Sequence, residues 1–285
     1  HIAGLQVLLR GLVAGTRTIT LDASFTVDGF IDATRHLDPD ERHYTALVPT
    51  QVARLLSHSE GAEALRRFDA VLVGGAALPP RLRASADEAG VVLVATYGMS
   101  ETAGGCVYDG ATLRGTRLRI EGDGRILLGG ATLASGYLDD PTRTVAAFVT
   151  DEDGTRWFRT DDHGHHLADG RLQVDGRLDD LINTGGLKVS PRLVEEAISA
   201  AFPEVIDVVV VGVPDEQWGQ RVSALVVTNP ATPPTRANIR DRLRGILPPH
   251  CLPQQVATID ALPTKGPGKP DRAAIVTLLA ERPVG

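Results

Sequence analysis

The 285-residue sequence predicts an α/β protein: a doubly wound sheet, then a small β-barrel-like subdomain, then an α+β C-terminal domain. Three observations carry this. Apolar strand-like runs alternate with helical segments up to about residue 112, the pattern of a parallel layer covered by helices. From about Leu113 to Val174, short β-type runs are broken by Gly-Asp-Gly, Asp-Gly and Gly-Gly turns, which reads as antiparallel sheet or a small barrel. Beyond Gly176-Arg177-Leu178-Asp179-Asp180, a compact helix–strand–strand–helix unit begins.

Leu5, Leu8, Leu9 and Leu12 recur at helical spacing, so residues 2–14 read as a helix closed by Gly15. The alternation then predicts strand 18–21, helix 27–37, strand 44–48, helix 50–58, strand 70–73, helix 79–89 and the fully apolar strand 91–95. Shorter strands follow at 117–121, 125–128 and 171–175. Ser190 caps a helix with Pro191 at its first position and Val194, Ala197, Ile198 and Ala201 on its core face. Strands 205–213 and 222–228, helix 235–246, strand 255–259 and a last helix capped by Asp271 complete the order.

Composition narrows the function. A net charge of -7 argues against a nucleic-acid binder, which needs a basic face. Cys106 and Cys251 give no disulfide framework, which predicts a reducing cytoplasm. No apolar run approaches the roughly 18 residues that span a bilayer, and no signal peptide is visible. The first residue, His1, already lies inside an amphipathic pattern, as expected for the downstream part of a longer protein. A homo-oligomer is left open.

Several clusters carry chemistry. Tyr97-Gly98-Met99-Ser100-Glu101-Thr102-Ala103-Gly104-Gly105 follows a predicted strand, where open α/β sheets bind ligands. Its ring suits a base, its hydroxyl a phosphate and its carboxylate Mg²⁺, although an ordinary glycine-rich βα loop has the same texture. Gly74-Gly75-Ala76 ends another strand, where glycine lets a ligand approach the backbone. Asp161-Asp162, after an aromatic run, suit vicinal ribose hydroxyls or a plain acidic turn. Arg177-Leu178-Asp179, followed by Gly185-Gly186-Leu187-Lys188, reads as a hinge beside a glycine turn, or as a hairpin with a surface ion pair. The loop 263–270 presents Lys269 on Gly and Pro; it lacks the glycine and Ser/Thr positions of a P-loop, and a solvated turn is its alternative. His163, His165 and His166 invite a metal reading, but no cysteine lies nearby and the carboxylates have a better use.

In this order and spacing, over almost the whole chain, the clusters resemble the adenylate-forming superfamily of acyl-CoA synthetases, peptide-synthetase adenylation domains and luciferases. Residues 1–8, Thr160-Asp161-Asp162 and the run from Tyr97 to Gly110 look most like the o-succinylbenzoate–CoA ligases of menaquinone biosynthesis, in their actinobacterial form. The resemblance implies an enzyme that uses ATP, Mg²⁺, CoA and a small carboxylic acid, forming an acyl-adenylate and then a CoA thioester. It implies Tyr97 on adenine, Gly74, Gly75 and Ala76 as the adenine wall, Ser100 on the α-phosphate and Glu101 as Mg²⁺ ligand. Asp162, helped by Arg177, would hold the ribose; Lys269 would be the adenylation lysine; Gly185, Gly186 and Lys188 would line the pantetheine channel. His1 and Gly98 would line the acyl pocket. Residues 1–178 would form the adenylation domain, divided into 1–112 and 113–178, and 179–285 a mobile domain swinging about Asp179.

The chain departs from the pattern at three points. The family's Ser/Thr/Gly-rich phosphate loop, expected upstream of His1, is not within these residues. Asp161 stands where most members have glycine, and Ser100 replaces the commoner threonine. Another acyl- or aryl-CoA ligase, or a non-catalytic nucleotide- or CoA-binding fragment, are the competing readings.

Overall fold

The apolar runs of the first half pair as strands with helices between them. The computed structural model describes residues 2–21, 24–228, 233–265 and 270–282. The chain divides into two units, His1–Thr160 with His166–Gln173, and Asp161–His165 with Val174–Gly285. Among the described residues no helix is long and apolar enough to cross a membrane.

The first unit opens with α1 (Ile2–Ala14), α2 (Val27–Thr34), β1 (Tyr44–Leu47), α3 (Pro49–Leu56), α4 (Ser59–Arg66), β2 (Ala70–Val73), α5 (Pro80–Glu88), β3 (Leu93–Met99), β4 (Gly104–Tyr108) and β5 (Ala111–Thr112). β1, β2 and β3 pair in parallel; β4 and β5 extend the sheet antiparallel, in the order β1-β2-β3-β4-β5. Leu47, Val52, Leu55, Leu65, Val71, Val73 and Leu93 share one buried core.

Four expectations change here. The helix expected over 27–37 ends at Thr34, where Arg35 caps it. Residues 18–21 form no strand: the chain turns back on α1, with the Thr16 N–H on the Gly11 carbonyl (2.9 Å) and Thr18 filling the space beside Gly11. The helix expected over 50–58 ends at Leu56, where His58 turns extended (φ −121°, ψ 132°), and α4 starts anew. The strand expected over 91–95 runs from Leu93 to Met99. Helix α1 forms as its periodicity demands, yet Leu12 and Val13 are 78% and 89% exposed.

β6 (Thr116–Ile120), β7 (Arg125–Gly130), α6 (Pro141–Ala147), β8 (Phe148–Thr150), β9 (Arg156–His166) and β10 (Leu172–Arg177) give the second texture. They form a sheet ordered β10-β9-β7-β6, with β8 on β9. The Glu121-to-Gly124 turn closes the β6–β7 hairpin as its glycines anticipate. Helix α6 has no counterpart in the sequence reading; Asp140 caps it by accepting from the Arg143 N–H (2.9 Å).

The second unit continues with β11 (Ile182–Thr184), β12 (Leu187–Val189), α7 (Pro191–Ala201), β13 (Val205–Asp215), β14 (Gly219–Thr228), α8 (Arg236–Leu243), β15 (Gln255–Thr258) and α9 (Arg272–Ala280). Its sheet runs β12-β11-β14-β13, with β15 parallel to β14. From Val208 to Val211 strand β13 is an unbroken apolar run because both its faces are covered there. Val208 and Val210 pack with Val194 and Ile198 of α7 and Ile239 and Leu243 of α8, while Val209, Val211 and Val213 pack with Ile275 and Leu279 of α9. Ser190 and Asp271 cap α7 and α9 as expected, accepting from Leu193 and Ala274.

Candidate active site

Tyr97 and Gly98 lie inside β3 rather than in a βα loop. Leu93–Ala95 pair in parallel with β2, and Thr96 to Met99 turn to pair antiparallel with β4. The glycines explain the change. A Cβ at Gly98 would stand 2.1 Å from the Gly104 carbonyl oxygen, so only glycine lets the two strands approach this closely. Between the strands, Ser100–Thr102 make one 3₁₀ turn. The buried Thr102 hydroxyl closes it, accepting from the Met99 N–H (3.0 Å) and donating to the Gly104 carbonyl (2.8 Å). Ala103 takes a left-handed conformation (φ 54°, ψ 31°), and Gln6 of α1 donates to its carbonyl (2.5 Å).

This turn leaves Ser100 exposed and Glu101 and Tyr97 half-buried. Glu101 is held twice from residues 131–140: the Ala134 N–H donates to its carbonyl (2.8 Å) and the Tyr137 hydroxyl to Oε1 (2.7 Å). Burial, then the Glu101 carboxylate, pushes the Tyr137 phenol up, so it stays a donor at neutral pH. The β2–β3 register sets Val73 beside Ala95, which brings Gly74-Gly75-Ala76 next to Thr96 and Tyr97. A Cβ at Gly74 would stand 2.5 Å from the Thr96 hydroxyl, and Gly75 is left-handed (φ 79°). Gly74 thus lies against Thr96 of β3, and Tyr97, Ser100 and Glu101 follow along the same strand and its turn.

Asp161, Asp162, Arg177 and Asp179 belong to the second unit. Arg177 grips Asp179 with a fork, Nε to Oδ1 and a terminal nitrogen to Oδ2, both 2.8 Å, and reaches Asp161 Oδ2 at 3.5 Å. Arg177 holds the Asp179 carboxyl below the usual range; Asp179 first, then the charges of Asp162 and Asp161, hold Arg177 above its own. The Leu178 N–H donates to the Asp161 carbonyl (2.7 Å), so the departure from glycine at 161 leaves this corner intact. Gly185 and Gly186, at φ 59° and 79°, form a two-residue hairpin turn between β11 and β12. The Gly185 N–H donates to the Trp218 carbonyl (2.8 Å), and Lys188 is exposed on β12.

His1 and Lys269 lie outside the described residues. The stem of the Lys269 loop is described: Thr264 bridges Pro270, and the Asp271 N–H donates to the Pro263 carbonyl (2.8 Å). Sequence reasoning missed Tyr137, Gln6 and Trp218, whose partners lie 36, 97 and 33 positions away. No local spacing signals such pairs.

Two of the three histidines have other partners: His165 Nδ1 meets Asp175 (2.7 Å) and His166 Nδ1 the Gly170 carbonyl (3.1 Å). Burial lowers the His163 pKa. Among the described residues no three His, Cys, Asp or Glu side chains gather as a metal-holding group. Glu101 fits a different donor set. A carboxylate offers about four acceptor sites, of which Tyr137 takes one, and Mg²⁺ carried on phosphates needs only about one or two carboxylates from a protein.

The "AMP-binding enzyme" family model matches residues 1–138, and the "AMP-binding enzyme C-terminal domain" model residues 194–269. The chain is similar to a probable 2-succinylbenzoate–CoA ligase of Mycobacterium tuberculosis, 42% identical over 98% of this chain and 72% of the relative. ATP-bound MatB from Rhodopseudomonas palustris superposes with a TM-score of 0.86 at 26% identity, covering 99% of this chain and 58% of MatB. The o-succinylbenzoate CoA synthetase of Bacillus subtilis, solved with its acyl-adenylate intermediate, gives 0.79 at 25% identity, covering 96% of this chain and 58% of that one. The chain therefore spans only part of these three proteins, and it belongs to the AMP-binding enzymes, the adenylate-forming family of acyl-CoA ligases.

Proposed function

We propose that the protein is an ATP-dependent acid–CoA ligase that converts o-succinylbenzoate to its CoA thioester in menaquinone biosynthesis. One observation supports this most: the Gly74-Gly75 turn packs on Thr96 beside Tyr97, with Glu101 fixed in the next turn. The 42% identity to the mycobacterial ligase supports the choice of acid.

In this reading Tyr97 stacks on adenine against Gly74, Gly75 and Ala76, Ser100 bonds the α-phosphate, and Asp162 with Arg177 holds the ribose. His1 and Gly98 face the acyl group. A substrate carboxylate oxygen bonds to the α-phosphorus, the α–β bridging bond breaks, and pyrophosphate leaves. Both partners are anionic, so Lys269 stabilises the charge that develops. Mg²⁺, held by Glu101, would neutralise phosphate charge during this step. The CoA sulfur then adds to the acyl carbonyl, loses its proton, and AMP departs. Gly185, Gly186 and Lys188 line the thiol's approach. Residues 1–178 act as the adenylation domain and 179–285 swing about Asp179 between the two steps. The free, buried Cys106 and Cys251 suit a reducing cytoplasm.

Pyrophosphate release, measured across a panel of carboxylic acids with ATP and Mg²⁺, tests the assignment. Release with o-succinylbenzoate well above all other acids is expected. Release only with another acid retains the ligase and discards the substrate. ATP binding without release under any acid would leave a nucleotide-binding module.

A further inference from the structure

We propose that Tyr137 is a positioning residue for the Glu101 carboxylate, its hydroxyl orienting the oxygens that a divalent cation on the nucleotide phosphates would meet; this rests on the reading of Glu101 as the cation's ligand. The contact is built from both ends. Tyr137 donates to Glu101 Oε1 at 2.7 Å, while Ala134, three residues earlier on the same stretch, donates its N–H to the Glu101 carbonyl at 2.8 Å. One segment therefore fixes backbone and side chain of the same residue.

The phenol ring is held without help from its hydroxyl. The Arg143 guanidinium lies 3.9 Å over its face, and the buried Phe148 ring meets it edge-on, 5.9 Å between centroids. The Tyr137 N–H donates to the Thr144 hydroxyl (2.8 Å), and Thr144 fills the space beside Gly136. Arg156 donates to the carbonyls of Ala134 (2.7 Å) and Ser135 (2.8 Å). A ring so braced presents its oxygen at one place, whereas an unbraced glutamate samples many rotamers. Magnesium takes oxygen ligands in near-octahedral geometry and tolerates misplacement poorly, so an oriented carboxylate binds it at a smaller ordering cost.

Tyr137→Phe removes the hydroxyl and keeps the ring, its cation–π partner and its aromatic neighbour. Mn²⁺ binding to the protein with a non-hydrolysable ATP analogue, followed by electron paramagnetic resonance, is the readout, beside the analogue's affinity without metal. We expect Tyr137→Phe to weaken Mn²⁺ by about tenfold, the low end of losses for groups that orient a ligand, with metal-free nucleotide affinity unchanged. In a Glu101→Gln background the same substitution should have no further effect, because its route runs through the carboxylate. Unchanged Mn²⁺ affinity in Tyr137→Phe, with Glu101→Gln impaired, overturns the role of Tyr137. A full Tyr137→Phe effect persisting in Glu101→Gln overturns it too. If Glu101→Gln binds Mn²⁺ like the parent, the ligand reading itself falls.

Discussion

At the scale of single residues, Gly98 makes the sharpest demand. Its missing Cβ would stand 2.1 Å from the Gly104 carbonyl oxygen and 2.7 Å from the Gly105 Cα, both rigid backbone of the paired strand. Gly98→Ala must part β3 from β4 just before the turn that carries Ser100 and Glu101. We expect a stability loss of about 1–3 kcal/mol by urea denaturation, the range for forced overpacking, together with loss of acid-dependent pyrophosphate release. Unchanged values in both would mean that the strand pair gives way at no cost and that Gly98 is dispensable. The residue types from Tyr97 to Glu101 were legible in the sequence because ring, hydroxyl and carboxylate name their own chemistry. Tyr137 was not, because its value comes from a contact with Glu101 across 36 positions, which only the folded sheet creates.

At the scale of elements, periodicity and turn chemistry explain what was legible. The apolar strand over 205–213 and the caps Ser190 and Asp271 read directly, since each depends on neighbours in sequence. The extension of β3 past Ala95 did not: the strand changes partner from β2 to β4, and its second half contains glycine and polar residues that read as loop. Likewise the stretch 18–21 alternates like a strand but folds back on Gly11 of α1. The β11–β12 hairpin offers a test at this scale. Gly185 needs φ 59°, and a Cβ there would stand 2.9 Å from the Trp218 ring. Gly185→Ala should cost about 1–2 kcal/mol, the left-handed penalty for an L-residue. If the turn lines the thiol's path, thioester formation from supplied acyl-adenylate should fall while pyrophosphate release is retained. Equal loss of both steps would reduce the turn to a structural role.

At the scale of the whole molecule, the proposed chemistry sets a conflict that one fixed arrangement cannot meet. The first step needs a cation near the α-phosphate; the second needs a thiol at the acyl carbonyl after pyrophosphate has gone. The candidate residues fall on both sides of the division: Tyr97, Ser100 and Glu101 in the first unit, Asp179, Gly185 and Lys188 in the second, with the stem of the Lys269 loop. The Arg177–Asp179 fork sits at the start of the second set, though its charges are about half exposed and worth little as a brace. A pivot there could deliver Lys269 in one step and the Gly185–Lys188 turn in the other. The two half-reactions separate these contributions. Lys269→Ala should slow adenylate formation by about 100-fold, the cost of losing one aligned stabiliser of developing charge. Thioester formation from a supplied acyl-adenylate should stay within a few-fold of the parent, since that step no longer passes through the pentavalent phosphate. Measured as pyrophosphate release and as CoA-thioester yield on the same preparations, a loss confined to the first step supports exchange of the two loops; equal losses would mean that Lys269 serves both steps from one position and that no swing is needed.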